Sequence, residues 1–326
     1  MKALIFDQVG SLDALKISEV PDPKARSGSL LVRVKAAALN PSDAKNVLGK
    51  MQETTVPRIP GRDFAGVVAV STDAYPEGTP VFGTGGSLGF SRDGSHAEFI
   101  EVPLEAVKPK PKSMTFEQAA TVGIPYLTAW RAIKDTALLK KGETLLVTGV
   151  TGAVGDAGAR IAKRICDARV IGVVRKHMDA VRERLTDYVD DLIELAPGAL
   201  AEQVRSKTGG RGVDAILDAV GGTLFEPCLR ALKFRGRYVA IASQPERRVT
   251  FDLIDFYHNE STLFGVDSIK VPFADVDRIF SLLLPYFESG DFAPQRDLIT
   301  VGFDNVLSAY RKLAEGRAAG KYVFVP

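Results

Sequence analysis

Three glycines stand at fixed spacing in the run Gly149-Val150-Thr151-Gly152-Ala153-Val154-Gly155. Before them lies Thr144-Leu145-Leu146-Val147-Thr148, apolar except for its threonines, as a strand buried on both faces should be. After them come the small residues Ala157, Ala159 and Ala162, suited to close helix packing. A glycine run alone is a common tight turn. Between a strand and a helix of a βαβ unit it becomes a seat for a pyrophosphate, because unpaired N–H groups and the helix dipole favour an anion there. A side chain at Gly152 or Gly155 would hinder that approach or the packing of helix on sheet.

The next strand refines the chemistry. A site for NAD places an acid at the end of that strand to hold the ribose 2′-hydroxyl. Here Gly172-Val173-Val174 runs into Arg175-Lys176-His177, and the next acid is Asp179. Arg175 beside Lys176 suits a ribose 2′-phosphate, so NADPH is the expected cofactor; the alternative is a solvated basic turn. No metal is expected. The three histidines, His96, His177 and His258, are far apart, and none has a Cys or a pair of carboxylates at ligand spacing. Cys166 and Cys228 form neither a CxxC pair nor a disulfide framework.

Around these groups the chain must supply two kinds of architecture. From Met1 to about Pro111, short alternating runs such as Leu30 to Lys35, Ala65 to Val70 and Glu98 to Val102 are broken by Pro and Gly. They read as antiparallel strands of a small barrel or sandwich. From about Glu143 strands and helices alternate. Strands are expected at 144–148, 168–174, 191–195, 213–218, 236–242 and 261–266, with helices near 180–185, 200–207 and 224–233. Six such strands make a doubly wound parallel sheet of the α/β class. The tail adds helices over 274–289 and 303–314, then a strand over 321–325 that is expected to return to the first region. The expected division is a β-rich domain of residues 1–122 and 267–326 around a dinucleotide-binding domain of residues 123–266.

Composition closes off other classes. Lys plus Arg total 42 and Asp plus Glu 40, so a formal charge of +2 offers no stripe for nucleic acid. The longest stretch free of charged residues, Gly78 to Ser91, has 14 residues, five of them glycine. That falls short of the roughly 18 apolar residues a membrane helix needs. The short apolar run before Asp7 is too brief for a signal-peptide core. A cytoplasmic protein is expected.

The chain resembles the medium-chain dehydrogenase/reductase superfamily, and within it the zinc-free, zeta-crystallin-like quinone oxidoreductases. The carriers are Asn40-Pro41-Ser42-Asp43, Pro60-Gly61-Arg62-Asp63 leading to Gly66, the segment Thr121 to Trp130, the glycine run, and Asp218-Ala219-Val220-Gly221-Gly222. The resemblance implies a GroES-like catalytic domain, a Rossmann domain and a substrate cleft between them. Where the zinc alcohol dehydrogenases place their first catalytic Cys this chain has Asn40. Their Gly-His-Glu is Gly61-Arg62-Asp63 here, the third ligand position is Ile124, and the cysteine-rich zinc lobe is missing. Without a Lewis acid to polarise an alcohol, reduction of an electron-poor acceptor is the expected chemistry, with hydride passing to a quinone or an α,β-unsaturated carbonyl.

By the same resemblance, Gly152, Ala153, Val154 and Gly155 line the diphosphate, and Arg175 and Lys176 face the adenosine phosphate. Thr128, beginning a helix after Tyr126, lies near the nicotinamide, as do Val220 and Gly221. Ser243 and the trio Phe264, Gly265 and Val266 sit at strand ends facing the crevice, and Lys321 is the C-terminal lysine near the cofactor. Asn40 is a candidate for holding a substrate carbonyl or the nicotinamide ribose, or simply caps the chain before Pro41. Tyr126 is the candidate proton donor, or ordinary cleft lining. Asp43 reads as a capping or ion-paired residue. Arg62 is a candidate cleft cation for an anionic substrate such as a coenzyme A thioester, which would favour an enoyl-thioester reductase. A non-catalytic NADPH-binding protein is the further alternative. The expected partners are a small electrophilic substrate and a second copy of the chain, paired through the strand near Thr262 to Val266.

Overall fold

The computed structural model describes residues 1–175, 178–196, 198–244, 246–292, 294 and 297–326. They form two compact units, residues 1–124 with 268–326, and residues 125–267.

The first unit is built on the strand Ser29–Ala38. Val32 and Val34 point inward and Arg33 and Lys35 outward; then Ala36, Ala37 and Ala38 are buried in succession. The alternation is that of a strand with one wet face, and its end runs directly into the buried Asn40. This strand pairs antiparallel with Asp63–Val68, with Phe99–Pro103 and with Lys321–Phe324, the last through Val323 opposite Ala38. The sheet continues to Pro80–Gly83 and Val107–Pro109 on one side and Leu298–Val301 on the other. Leu4, Phe6, Leu30, Val32, Phe64, Val81 and Phe324 fill its core. Burying each such side chain contributes about 1.5–3 kcal/mol.

The second unit is a six-stranded parallel sheet. In chain order its strands are Thr144–Thr148, Arg169–Val174, Asp191–Glu194, Val213–Asp218, Leu232–Ala240 and Thr262–Gly265. In space they run third, second, first, fourth, fifth, sixth. The order reverses at the first strand, so the crevice at its carboxyl end is where such a sheet takes a ligand. Leu146, Ile171, Ile216 and Tyr238 belong to the core packed against the sheet.

Two elements depart from the sequence expectation. The helix expected over 224–233 is only Phe225–Arg230, and the following strand starts at Leu232 rather than Gly236. Its register against the neighbouring strand jumps from Val213↔Leu232 to Ala215↔Arg237. Arg235 stands at φ 60° within this interruption. Such a bulge breaks the period-two pattern on which a strand is recognised. Thr128 lies inside the helix Gly123–Trp130 rather than at its start.

Candidate functional site

The helix Ala153–Arg164 begins directly after Gly152, which is its N-cap and has no side chain with which to cap. The first-turn amides of a helix have no intrahelical partner, so those of Ala153, Val154 and Gly155 stay open to an anion. Gly152 itself is closed by its N–H to Gly149 O at 2.9 Å. A Cβ at Gly155 would lie 2.2 Å from Gly149 O, so only glycine lets the helix start this close to the loop. Arg175, exposed, follows the end of the adjacent strand. Lys176 lies outside the described residues.

The other cofactor candidates of this unit gather at neighbouring strand ends. A Cβ at Gly149 would meet Val220 Cγ2 at 3.1 Å, which puts the 219–222 turn beside the glycine loop. Gln244 N donates to Val220 O at 3.0 Å, bringing in the loop that carries Ser243, and the Ser243 hydroxyl donates to Glu246 O. Phe264 and Gly265 close the sixth strand, and Val266 N donates to Ala240 O at 3.0 Å. The Thr128 hydroxyl is buried without a hydrogen-bond partner. A buried orphan hydroxyl is costly, and one in this unit fits a bound polar group. Uncapped amides, glycine cradle and orphan hydroxyl together fit a dinucleotide.

Tyr126 is 3% exposed. Burial pushes its phenol far up, opposed by Arg160 and reinforced by Asp156 and Tyr188. These three form one cluster. Arg160 Nε pairs with Asp156 at 2.9 Å, Tyr188 donates to Asp156 at 2.5 Å, and the guanidinium lies 4.0 Å from the Tyr188 ring centre.

Asn40 and Lys321 belong to the first unit. Asn40 caps the helix Pro41–Val47, and its own N–H donates to Asp43 Oδ2 at 2.7 Å. Its side-chain amide donates to Asp63 Oδ2 at 2.8 Å and accepts from Lys321 Nζ at 2.5 Å. Lys321 also donates to Leu39 O at 3.0 Å. Asp63, fully buried, is the hub: Oδ1 accepts from the Thr84 hydroxyl at 2.6 Å and from Ile124 N at 2.8 Å. Burial pushes the Asp43 carboxyl up to about 7, against the Asn40 N–H and the nearby Arg62 and Lys321, which favour its charged form. Burial pulls the Lys321 ammonium down, while Asp63 and Asp43 hold it up.

Arg62 overturns its expectation. It is 1% exposed and not a cleft cation. Its guanidinium donates to Ser268 Oγ at 3.1 Å, to Ser268 O at 2.8 Å and to Gly85 O at 3.4 Å, and lies over the Phe90 ring. Five donors in a rigid fork suit such a structural knot. At the positions that the resemblance aligns with zinc ligands, this chain thus presents an engaged amide, a buried guanidinium, the hydrogen-bonded Asp63 and Ile124. That donor set does not fit a tetrahedral zinc ion. Among the described residues no group of three or more His, Cys, Asp or Glu could hold a metal.

The sequence reading quotes Asp63 and Asp218 within motifs without giving either a role, and does not single out Asp156 or Arg160. The available signal was an acid heading or ending an apolar strand, as in Asp63-Phe64-Ala65 and Ile216-Leu217-Asp218.

Residues 26–112 match the alcohol dehydrogenase GroES-like domain, and residues 167–324 the family described as zinc-binding dehydrogenase. The chain is 33% identical over 313 residues to a zinc-type alcohol dehydrogenase-like protein of Schizosaccharomyces pombe, covering 92% of this chain and 89% of that one. It is 26% identical to the quinone oxidoreductase of Lama guanicoe, covering 100% and 97%. A solved structure of an NAD-dependent alcohol dehydrogenase superposes with a TM-score of 0.88 at 26% identity, with both chains fully covered. With its GroES-like sheet unit and its Rossmann unit, this chain belongs to the medium-chain dehydrogenase/reductase superfamily, in the quinone oxidoreductase-like branch.

Proposed function

We propose that the protein is a zinc-independent, NADPH-dependent reductase of quinones or α,β-unsaturated carbonyls. The observation that carries this reading is the uncapped helix start at Gly152 to Gly155, beside a strand whose end at Val174 is followed by Arg175 and not by an acid. The amides of Ala153, Val154 and Gly155 bind the diphosphate, and the Arg175 guanidinium pairs with the 2′-phosphate. The Thr128 hydroxyl, Val220, Gly221, Ser243 and the 264–266 strand end hold the nicotinamide half. Once bound, the reduced nicotinamide supplies a hydride equivalent.

Asn40 and Lys321 act in the first unit. Asn40 has two amide hydrogens, and Asp63 takes one. The other is offered to the acceptor's oxygen, and the Lys321 ammonium on Asn40 Oδ1 polarises the amide toward that donation. An electron-poor acceptor needs orientation more than Lewis-acid activation, in keeping with residues that do not fit zinc. Burial holds the Tyr126 phenol in its protonated form, and Tyr126 is the proposed proton donor. Arg62, being buried, is not a cation for a thioester substrate.

A second copy of the chain is the proposed partner. Among the described residues the strand Thr262–Gly265 has one neighbour in the sheet, and we propose that its other backbone edge pairs with its own copy across a twofold axis. Leu263 on that strand, and Leu253, Ile254 and Tyr257 on the preceding helix, are exposed.

The test is oxidation of NADPH and of NADH against quinones and enones with a chelator present. Turnover is expected to survive the chelator and to favour NADPH by about tenfold or more in kcat/KM, a preference Arg175→Ala reduces. Loss of activity with the chelator, or equal use of NADH, would overturn the reading.

A further inference from the structure

Asp218 ends the strand Val213–Asp218 at the carboxyl edge of the parallel sheet and is fully buried. A carboxylate in such a place must be hydrogen-bonded, and this one is surrounded by donors. Oδ1 accepts from the Thr148 hydroxyl at 2.5 Å, from Gly221 N at 2.9 Å and from Val220 N at 3.1 Å. Oδ2 accepts from the Tyr238 hydroxyl. The Thr148 oxygen in turn accepts from Ala219 N at 3.0 Å. Every N–H from Ala219 to Gly221 is therefore bound either by Asp218 or by the hydroxyl Asp218 holds.

The bonds reach three strands. Thr148 ends the adjacent strand and immediately precedes Gly149, the first residue of the glycine loop. Tyr238 lies on the strand at the other side, which leads to the loop carrying Ser243. The turn itself has little freedom to fold otherwise. Gly221 stands at φ 70°, ψ −149°, a region open essentially to glycine, and a Cβ there would lie 2.3 Å from Ala242 O.

We infer that Asp218 is a positioning residue for the nicotinamide half of the cofactor. Its carboxylate fixes the 219–222 turn against the end of the Thr144–Thr148 strand, so the turn and the glycine loop keep a set span before any ligand arrives. A dinucleotide then meets both halves of its seat preformed, and less ordering is left to be done on binding. The inference rests on the reading that this chain binds NADPH.

The experiment compares binding of NADPH with that of 2′-phospho-ADP-ribose, which lacks the nicotinamide, with thermal unfolding measured alongside. Asp218→Ala is expected to weaken NADPH about tenfold or more, the effect of one or two lost hydrogen bonds, and to leave the fragment within about twofold. Asp218→Asn keeps one oxygen for the three Oδ1 donors and turns its amide to the Tyr238 oxygen, so it is expected to retain most of the NADPH affinity. Should Asp218→Ala fail to fold, Thr148→Val, near in shape, is expected to show the same selective loss at smaller size. Parallel weakening of both ligands, or no weakening of either, overturns the inference. A wild-type protein that binds neither ligand overturns the NADPH reading as well.

Discussion

A buried carboxyl and a buried imidazole pull the pH dependence of the first unit in opposite directions. Burial pushes the Asp43 carboxyl up to about 7, from an ordinary carboxylate value of 3.8. Its contribution to stability is complete below that lower value and is lost as pH rises to about 7. His96 accepts from the Tyr310 hydroxyl at Nδ1, 2.6 Å away, and faces Ala38 O with Nε2 at 3.2 Å. A carbonyl can only accept, which assigns the proton to Nε2. Burial pulls this imidazole down to about 4. Its contribution is complete above 6.5 and is lost as pH falls to about 4. The melting-temperature gap between wild type and Asp43→Asn should therefore shrink from pH 5 to pH 8. The gap between wild type and His96→Gln should shrink from pH 7.5 to pH 4.5. Thermal unfolding at these pH values checks both signs.

At the scale of elements, two glycines three residues apart do different work. A Cβ at Gly155 would strike backbone, whereas one at Gly152 meets only Gly149 O at 3.2 Å. Gly155→Ala is expected to lower the melting temperature by several degrees, in the range of about 1–3 kcal/mol for an overpacked site. Gly152→Ala is expected to leave the melting temperature nearly unchanged and to weaken NADPH, because the space it takes belongs to the ligand. Equal effects of the two on unfolding and binding would refute this division. The loop was legible because strand, glycines and helix are contiguous in the chain. The strand start at Leu232 was not, since a bulge around Arg235 is set by pairing with Val213 and Ala215, which lie about 20 residues earlier.

At the scale of the molecule, the edge at Thr262–Gly265, unpaired among the described residues, bears on the proposed assembly. Leu263→Asp places a charge on that strand, a device that keeps sheet edges from pairing. Wild type is expected to sediment as a dimer and the variant as a monomer. A monomeric wild type, or a variant that stays dimeric, would remove the strand from the interface. No helix among the described residues is long and apolar enough to cross a membrane.

Alternating apolar runs, the glycine spacing and Arg175 after a strand end were local facts; the fold class could be read from them directly, and the proposed dinucleotide seat rests on them. Period and turn chemistry act within a few residues, so one dimension is enough to carry them. Tertiary structure decided what long-range burial decides. It put Arg62 against Ser268, 206 positions away, instead of in a cleft. It joined Asn40 to Lys321 across 281 positions. It also gathered Thr148 and Tyr238 around the Asp218 carboxylate. A charged side chain reads alike at a surface and in a core; which it becomes depends on donors that only folding brings within reach.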